Sequence, residues 1–310
     1  MLGAAGIMAV VALAAAPSDP AADVAYAFAR DLANAGPRPA GSAAERAAHR
    51  AVATRFRASG LRVVHDRFAV PGIGRSRNVV GIRPGRASCL RVLLAHADSD
   101  PPAPGALDNA SGVGLLVALA PLVARSGDRD CETWLVATGA EERGHTGRPD
   151  HLGASALVRR LRRAGRTDDV RYALSLDEVG AGSRFDLYSP APRARPGVER
   201  AVLTAARAAG VRVWRVRDAS TGNSDHREIE LAGMPGMKLG VVSHACRHQA
   251  CDRAGQLRKG AFRRTTAVVV RLLGVPSAPA GARSATLRDT ALRAARPTHH
   301  GSPARPAEAR

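Results

Sequence analysis

The sequence predicts an α/β fold with three layers (α/β/α), in which helices cover both faces of a mixed, mainly parallel central sheet. From about residue 89 to 273, apolar β-rich runs alternate with amphipathic helical segments, the pattern of parallel strands joined by crossover helices. Before them, the runs LRVVHDRFAV and RNVVGI are joined by Pro-Gly-Ile-Gly, which predicts an antiparallel pair. We find neither an internal repeat nor a second-domain linker, so one domain from about residue 20 to 275 is expected.

The helices are predicted from their apolar spacing and their end signals. A helical pattern over 21–35 is broken by NAGPRPAGS, with its two prolines and two glycines. Ser42 is expected to cap a second helix that runs to about Ala58, with Glu45 at the capping-box position. Later helices are predicted at about 111–124, 150–164, 198–209, from Asp225, and 253–273. The later strands are predicted in CLRVLLAHAD, ETWLVATGAEE, VRYALSLDEVG, RFDLYS, VRVWRVR and GMKLGVV.

Both ends of the chain are predicted to lie outside this domain. Residues 1–16 are apolar from Ile7 and contain small-x-small cleavage patterns, which favours a secretory signal peptide over a buried N-terminal helix. Residues 276–310 are rich in Pro, Ala and Arg and poor in large apolar groups, so we expect a disordered tail. The protein is therefore expected to be secreted and extracellular.

The formal charge of +19 invites comparison with nucleic-acid-binding proteins. Only two of the 46 basic residues are lysine, and no basic run is interleaved with aromatic residues, which make up 3% of the chain. Stacking platforms for bases are therefore missing, and the charge is better explained by an arginine-rich composition spread over the surface. We expect no nucleic-acid partner.

The four cysteines form an even set in a chain expected to be exported, which favours two disulfides over four unpaired buried thiols. Cys89 and Cys131 each stand at the start of a predicted strand. Neighbouring strands would place them together, so we expect a bridge between them.

Three predicted strands end in acidic or imidazole side chains. These groups, with the acids of the loop after the first strand, are His96, Asp98, Asp100, Asp108, Glu141, Glu142, Asp177 and Glu178. Ligands bind at the carboxyl ends of the strands in open α/β sheets, so these groups should converge. Carboxylates crowded in this way repel one another unless a cation lies among them. Several carboxylates with imidazole and without Cys suit zinc, manganese or cobalt.

The chain resembles the dizinc exopeptidases typified by aminopeptidase Y and the secreted bacterial leucyl aminopeptidases. The resemblance covers nearly the whole predicted domain, in the ordered segments GPRPAGSAAERAAHRAVATRFRASGLRV, HAD, GALDNASGVGLL, GAEERG, SLDEVG, NSDHREIELAGMPGMKL and CRHQACD. It implies a zinc aminopeptidase-like fold, which agrees with the strand pattern, and two zinc ions as cofactors.

The resemblance implies two metal positions that share Asp108. One position has His96 and Asp177 as its other ligands, and the second has Glu142 and His248. A bridging carboxylate of this kind holds two cations ~3.5–4 Å apart, where a shared water becomes acidic enough to attack at neutral pH.

Glu141 and Asp98 match supporting roles in the same family. Glu141 matches the general base, which must not itself be a ligand. Asp98 matches the acid that fixes the ring of His96, although it could be a plain loop acid. Asp100 and Glu178 have no counterpart role, so the first is expected to be solvated and the second to be a neighbour of the ligands.

Three histidines compete for the last ligand position: His226, His244 and His248. The family motif places that ligand at His248, between two cysteines, whereas His226 in Ser-Asp-His matches a recurrent pocket position. The same bracket in secreted members implies a disulfide between Cys246 and Cys251. The family also implies a cis peptide bond between Asp108 and Asn109.

Two features depart from the family pattern. Arg247 stands where secreted members often have a tyrosine that donates a hydrogen bond to the tetrahedral intermediate. Arg247 could act as that donor or bind a substrate carboxylate, but we expect it to point to solvent. The loop RGHTGRPDHLGAS, which begins just after Glu142, is longer and more polar than in the family and carries His145 and His151.

The function implied is that of a secreted, metal-dependent aminopeptidase that removes N-terminal residues from peptides by means of a water bridged by two metals. The alternatives are a carboxypeptidase, a dipeptidase or a glutaminyl cyclase on the same fold, and a non-catalytic receptor-like scaffold, which loss of ligands would mark. Peptides are the expected partners. We expect a monomer without stable membrane insertion.

Overall fold

The computed structural model describes residues 19–147, 150–190, 195–218, 223–241 and 244–275. The predicted signal peptide, 1–16, and the predicted tail, 276–310, lie outside the described residues. The helices are α1 (Pro20–Asn34), α2 (Ala43–Ala58), α3 (Ser111–Arg125), α4 (Arg143–Thr146), α5 (Leu152–Arg163), α6 (Pro196–Ala208), α7 (His226–Leu231) and α8 (Lys259–Leu273). The strands are β1 (Arg62–Val70), β2 (Gly74–Arg83), β3 (Leu90–His96), β4 (Glu132–Thr138), β5 (Val170–Leu176), β6 (Arg184–Pro190), β7 (Arg212–Asp218) and β8 (Gly236–Gly240).

The eight described strands form one mixed sheet in the order β1-β2-β4-β3-β5-β8-β6-β7. The pairs β3–β4, β3–β5, β5–β8 and β6–β7 are parallel, and the pairs β1–β2, β2–β4 and β6–β8 are antiparallel. The parallel strands β4, β3, β5 and β8 lie side by side in the centre, and the antiparallel pair β1–β2 lies at one edge. The predicted fold class is confirmed.

The sheet has a packed helical layer on each face. Alternate residues of β3 belong to different cores. Leu93 belongs to the core that includes residues of α1, α2, α3, α6 and α8, whereas Val92 and Leu94 belong to the core that includes residues of α5 and α7. This alternation is the period of two that a strand imposes on its side chains. The long helix α3 is buried along almost its whole length, and it holds the loop before it against the centre of the sheet.

One apolar segment among the described residues, Ala106–Arg125, has the length and composition to cross a bilayer. In the most apolar 18 residues of this segment, 94% is buried inside the protein.

Two helices begin later than predicted, and a backbone contact explains each case. α5 begins at Leu152 because His151 has a left-handed backbone (φ 51°) and its N–H donates to the carbonyl of Glu141, at 3.1 Å. α8 begins at Lys259 because Arg258 is extended and donates its N–H to the carbonyl of Gly180, at 2.8 Å. Neither residue can therefore join its helix.

Both expected disulfides are present. Cys89–Cys131 joins the chain just before β3 and β4, which are neighbours in the sheet. Cys246–Cys251 closes a short turn between β8 and α8. The first bridge lies at the opposite end of the strands from His96.

Candidate metal centre

Neighbouring parallel strands bring the predicted strand-end residues to one edge of the sheet. His96 is the last residue of β3 and pairs in register with Thr138, the last residue of β4. Glu141 and Glu142 follow β4, and Asp177 directly follows β5. The sheet alone therefore carries four of these groups to the same place.

Asp108 is held against the same edge by an irregular turn, Ala106–Ala110, in front of α3. The Asp108–Asn109 peptide bond is cis, as the resemblance implied. Asn109 donates its side-chain N–H to the carbonyl of Leu176, at 2.9 Å, and accepts the N–H of Gly112, also at 2.9 Å. A Cβ on Gly112 would lie 2.0 Å from the carbonyl oxygen of Leu176, so only glycine allows α3 to begin this close to β5.

The ligand candidates form two groups that share Asp108. His96 Nε2 lies 3.1 Å from Asp108 Oδ1 and 3.6 Å from Asp177 Oδ1. His248 Nε2 lies 3.3 Å from Asp108 Oδ2 and 3.1 Å from Glu142 Oε2. The two oxygens of Asp108 thus face different histidines, the arrangement that a bridging carboxylate requires.

His248 is carried by the turn that the Cys246–Cys251 disulfide closes, which we call the Cys246–Asp252 turn. Asp252 accepts the backbone N–H groups of Leu107, at 2.8 Å, and of Asp108, at 3.1 Å. Its own carbonyl accepts the N–H of Ala106, at 3.2 Å. The turn is therefore fixed to the loop that carries Asp108. Asp252 lies in the segment CRHQACD, where the sequence pattern gave it no role.

Asp98 positions two parts of the site. Its carboxylate Oδ2 accepts the backbone N–H groups of Glu141, at 2.9 Å, and Glu142, at 3.0 Å. The Nδ1 atom of His96 lies 3.3 Å from the backbone carbonyl of Asp98 and 3.7 Å from its Oδ1. The sequence indicated the contact with His96 but not the one with the Glu-Glu backbone. Asp98 is fully buried and is not a plain loop acid.

Asp100 is less exposed than the sequence predicted, whereas Glu178 lies beside the ligands as expected. Asp100 is buried, not solvated, because the backbone of Gly144 closes over its carboxylate. Ligand atoms of Asp100, Glu142 and His248 lie within 4.8 Å of one another. Glu178 is also buried beside the ligands, with its Oε1 3.4 Å from His244 Nε2.

The expectation that Arg247 points to solvent is wrong. Its Nε donates to Asp108 Oδ2 at 3.1 Å and lies 3.7 Å from Glu178 Oε1. The cause is the concentration of carboxylates beneath it, which attracts the guanidinium.

His226 is buried, and neither of its ring nitrogens has a hydrogen-bond partner among the described residues. Burial and the charges of Lys238 and His151 lower the pKa of His226 to about 3.

Two buried cations were missed from the sequence. Lys238 Nζ lies 3.1 Å from Asp177 Oδ2, an ion pair in which both side chains are buried. Arg38 holds the rim of the site: its guanidinium donates to the carbonyls of Ala97, Pro104 and Gly105. Lys238 had a signal, since it is one of two lysines in a chain that otherwise uses arginine and it stands within an apolar strand.

The left-handed backbone conformations also concentrate here. The described non-glycine residues with positive φ are Ala140, His151, Glu178 and His248, with φ of 51–58°. Ala140 directly precedes Glu141, and His151 Nε2 lies 3.4 Å from Glu141 Oε1. Such conformations cost roughly 1 kcal/mol or more each and are typical of functional sites.

The crowded charges shift the pKa values in opposite directions. Burial raises the pKa of Glu141 well above its usual range, with Glu142 and Asp225 adding to the effect. Burial and the charge of Asp108 raise the pKa of Glu142 to about 7. Burial opposes ionisation of Asp177, yet Lys238 and His96 hold its pKa below the usual range.

The pKa values of the two candidate ligand histidines, His248 and His96, are raised. Hydrogen bonding to Asp108 and Glu142 raises the pKa of His248 to about 10. Burial disfavours the charged ring of His96, but Glu141 and Asp108 more than offset this and raise its pKa well above the usual value. Both shifts are signs of uncompensated negative charge between the side chains.

The donor set fits divalent metal ions. Buried carboxylate oxygens without a hydrogen-bond partner among the described residues include Oδ1 of Asp177 and Oε1 of Glu142. Unpaired buried carboxylates are costly, and oxygen and imidazole ligands without thiolate are those that zinc, manganese and cobalt accept. Ligand atoms of His96, Asp108 and Glu142 also lie within 4.8 Å of one another.

Comparison with known proteins identifies the family. Residues 78–273 match the family described as Peptidase family M28. No curated protein sequence matches the chain.

Solved structures share the fold. BSAP, a zinc aminopeptidase from Bacillus subtilis, has 17% sequence identity and a TM-score of 0.74, over 83% of this chain and 95% of that one. A leucine aminopeptidase precursor from Bacteroides thetaiotaomicron has 24% identity and a TM-score of 0.70, over 83% and 98%. The glutaminyl cyclase of Porphyromonas gingivalis has 24% identity and a TM-score of 0.68, over 82% and 97%. With this fold and a match that spans more than half of its length, the chain belongs to peptidase family M28.

Proposed function

We propose that the protein is a secreted, zinc-dependent aminopeptidase that removes residues from the free N-terminus of peptides. The observation that carries this proposal is the pair of histidine–carboxylate groups joined by Asp108, with Glu141 beside them. His96, Asp108 and Asp177 would hold one zinc ion, and Asp108, Glu142 and His248 would hold the other. Similarity in fold to zinc aminopeptidases supports this choice of metal.

Bound zinc ions would supply Lewis acidity, which polarises the scissile carbonyl and makes the attacking water more acidic. Glu141 accepts the proton of that water and passes it to the leaving amine. Glu141 suits this role because it directly precedes Glu142, a proposed ligand, and because Asp98 accepts its backbone N–H. Its own carboxylate is not needed as a ligand. Burial excludes bulk water around the carboxylate and strengthens its interactions.

The excess of negative charge favours the N-terminus of a peptide over its C-terminus. Seven buried carboxylates surround the site: Asp98, Asp100, Asp108, Glu141, Glu142, Asp177 and Glu178. Among the described residues, the Lys and Arg side chains that contact them are Lys238 and Arg247. An α-ammonium group is a better match for this concentration of carboxylates than an α-carboxylate is.

The two disulfides and the similarity to leucine aminopeptidase precursors favour export, since disulfides persist in oxidising compartments. A glutaminyl cyclase remains the second candidate, because glutaminyl cyclases share the fold at comparable identity. It needs N-terminal glutamine and releases ammonia without cleaving a peptide bond.

The test uses the purified full chain with aminoacyl-nitroanilides, their N-blocked forms and a peptide with N-terminal glutamine. We expect cleavage of the free nitroanilides only, loss of activity with a chelator and recovery with added zinc. Cleavage of blocked substrates would contradict aminopeptidase specificity. Ammonia release from the glutaminyl peptide without nitroanilide cleavage would establish the cyclase, and no activity with zinc would indicate a scaffold.

A further inference from the structure

Lys238 brings a fixed positive charge to one side of the proposed metal centre. It lies in β8, which pairs with β5 so that Lys238 is opposite Ser175, two residues before Asp177. Its ammonium group lies 3.1 Å from Asp177 Oδ2 and 5.5 Å from the centroid of the Tyr188 ring. The side chain is 4% exposed, so this charge is held inside the protein.

The two metal positions consequently differ in charge. At the position of His96, two carboxylates are present, those of Asp108 and Asp177, and a cation lies against the second. At the position of His248, Asp108 is joined by Glu142, and Asp100 lies within reach of the same point. Asp98 and Glu141 also lie near His96, so the two positions differ in the buried lysine and not in the number of carboxylates.

Arg247 also lies beside Asp108, but it differs from Lys238 in freedom of movement. The side chain of Arg247 is 23% exposed and belongs to a surface turn, so its guanidinium can turn into solvent when a cation approaches. Lys238 cannot do so, because leaving Asp177 would place an unpaired ammonium group in the interior, which is costly. The repulsion from Lys238 is therefore permanent.

We infer that Lys238 makes the two metal positions unequal: the position of Glu142 and His248 fills at low metal concentration, and that of Asp177 fills only at a higher one. The physical reason is repulsion between like charges, which is strongest where water is excluded. The inference rests on the proposed function only in that it takes this site to bind divalent metal. It makes occupancy of the Asp177 position depend on the free zinc concentration.

The experiment measures zinc bound to the purified full chain, stripped with a chelator and dialysed against a series of buffered free zinc concentrations. For the wild-type chain we expect two binding steps whose midpoints differ by about tenfold or more. Asp177→Asn should abolish the later step and leave the earlier one. Loss of the earlier step in Asp177→Asn would reverse the order of filling and overturn the inference.

The decisive variant is Lys238→Met, which removes the charge at closely similar volume. We expect its later step to move to at least about tenfold lower zinc. The matched control is Lys259→Met, because Lys259, the other lysine, is 58% exposed and faces Asp23 far from the site. It should leave both steps unchanged. If Lys238→Met does not fold, as judged by circular dichroism, Lys238→Gln takes its place.

A folded Lys238 variant with both steps at wild-type midpoints would overturn the inference, as would equal midpoints in the wild-type chain. These failures differ from failure of the proposed function, because zinc binding is measured without substrate. Unequal steps in a protein that cleaves no peptide contradict only the proposed function. Cleavage by a protein with two equal steps contradicts only the inference.

Discussion

The candidate site has a strand-borne half and a turn-borne half, and they are held in different ways. The strand-borne half consists of His96, Glu141, Glu142 and Asp177 at the ends of β3, β4 and β5, and its side chains are buried. The turn-borne half consists of Arg247 and His248 on the Cys246–Asp252 turn. The side chain of His248 is 40% exposed, compared with 1% for that of His96.

The difference shows how rigid geometry and adaptability are divided within one site. The strand-borne half is fixed by the hydrogen bonds of the sheet and by α3, so a change there disturbs the core. The turn-borne half is fixed by one disulfide and by three hydrogen bonds that Asp252 accepts from Ala106, Leu107 and Asp108. We therefore expect proton transfer by Glu141 to depend on the first half, and the affinity of the His248 position for metal to depend on the second.

The largest expected effect is in the strand-borne half. Glu141→Gln should keep the fold and the zinc content but lower kcat by roughly 10²–10⁴, because it removes the base and leaves the ligands. The measurements are kcat on an aminoacyl-nitroanilide and zinc per chain. The control is Glu132→Gln at the opposite end of β4, which should retain activity. Turnover within a few-fold of wild type would exclude Glu141 as the base.

The second prediction separates the two halves through their disulfides. Replacing Cys246 and Cys251 by serine should weaken zinc binding by about 10- to 100-fold, since His248 loses its anchor. Replacing Cys89 and Cys131 by serine should instead lower the free energy of unfolding by about 2–4 kcal/mol and leave zinc affinity unchanged. Zinc titrations and urea unfolding of both variants make the comparison. Equal zinc affinity in the two variants would remove the distinction between the halves.

The third prediction concerns Arg247 and sharpens the description of the turn. Because its Nε donates to Asp108, the proposed bridging carboxylate, Arg247 would lie close to the scissile carbonyl of a bound peptide. Arg247→Ala should therefore lower kcat/KM by roughly tenfold on a dipeptide and equally on the dipeptide amide. A loss confined to the dipeptide would instead assign Arg247 to its carboxylate. No loss on either substrate would leave Arg247 without a role in the reaction.

The smallest expected effect concerns the support beneath the strand-borne half. Glu45 of α2 is buried, accepts the hydroxyl of Ser76 at 2.5 Å, and lies against the backbone of Gly139, after β4. Burial and the charge of Asp98 raise the pKa of Glu45 to about 7. Between about pH 4.5 and 7 the folded chain thus holds a proton that the unfolded chain has released, so stability falls as pH rises through this range.

Glu45→Gln tests this linkage, because it is isosteric and does not titrate. Between about pH 5 and pH 8, with a chelator present, the free energy of unfolding should fall by on the order of 2 kcal/mol more in the wild-type chain than in the variant. Parallel pH profiles for the two proteins would refute the assignment. A rise in wild-type stability over the same range would contradict its sign.

The strand-borne half of the site could be predicted from the sequence more completely than the loops and the turn around it. The strand-borne residues were predictable, because alternating elements predict a parallel sheet and the ends of its strands meet at one edge. The contacts of Arg247, Asp100 and Glu178 were not, since each depends on how a loop folds back over the site. The sequence of a Pro/Gly-rich loop does not show whether an acid in it is exposed to solvent or packs against a distant segment. Asp100 packs against the backbone of Gly144, 44 positions later.

Long-range partners were the least accessible. The pair Lys238–Asp177 joins two strands 61 positions apart, and its only sequence signal was a lysine in an apolar strand. Asp252 holds backbone groups 144 and 145 positions earlier. Hydrophobic periodicity, helix caps and turn residues are patterns among residues close in sequence, so none of them predicts contacts between residues this far apart.

The buried guanidinium of Arg38 determines where a functional fragment of this chain has to begin. The family match starts at residue 78, yet Arg38 bonds the carbonyls of Ala97, Pro104 and Gly105, which lie inside that match. A fragment trimmed to the matched region would leave these buried acceptors without donors, at a cost of about 1–3 kcal/mol each. Such a fragment would also lack α1 and α2, whose apolar side chains belong to the same core as α3, so we expect the smallest autonomous unit to start before α1.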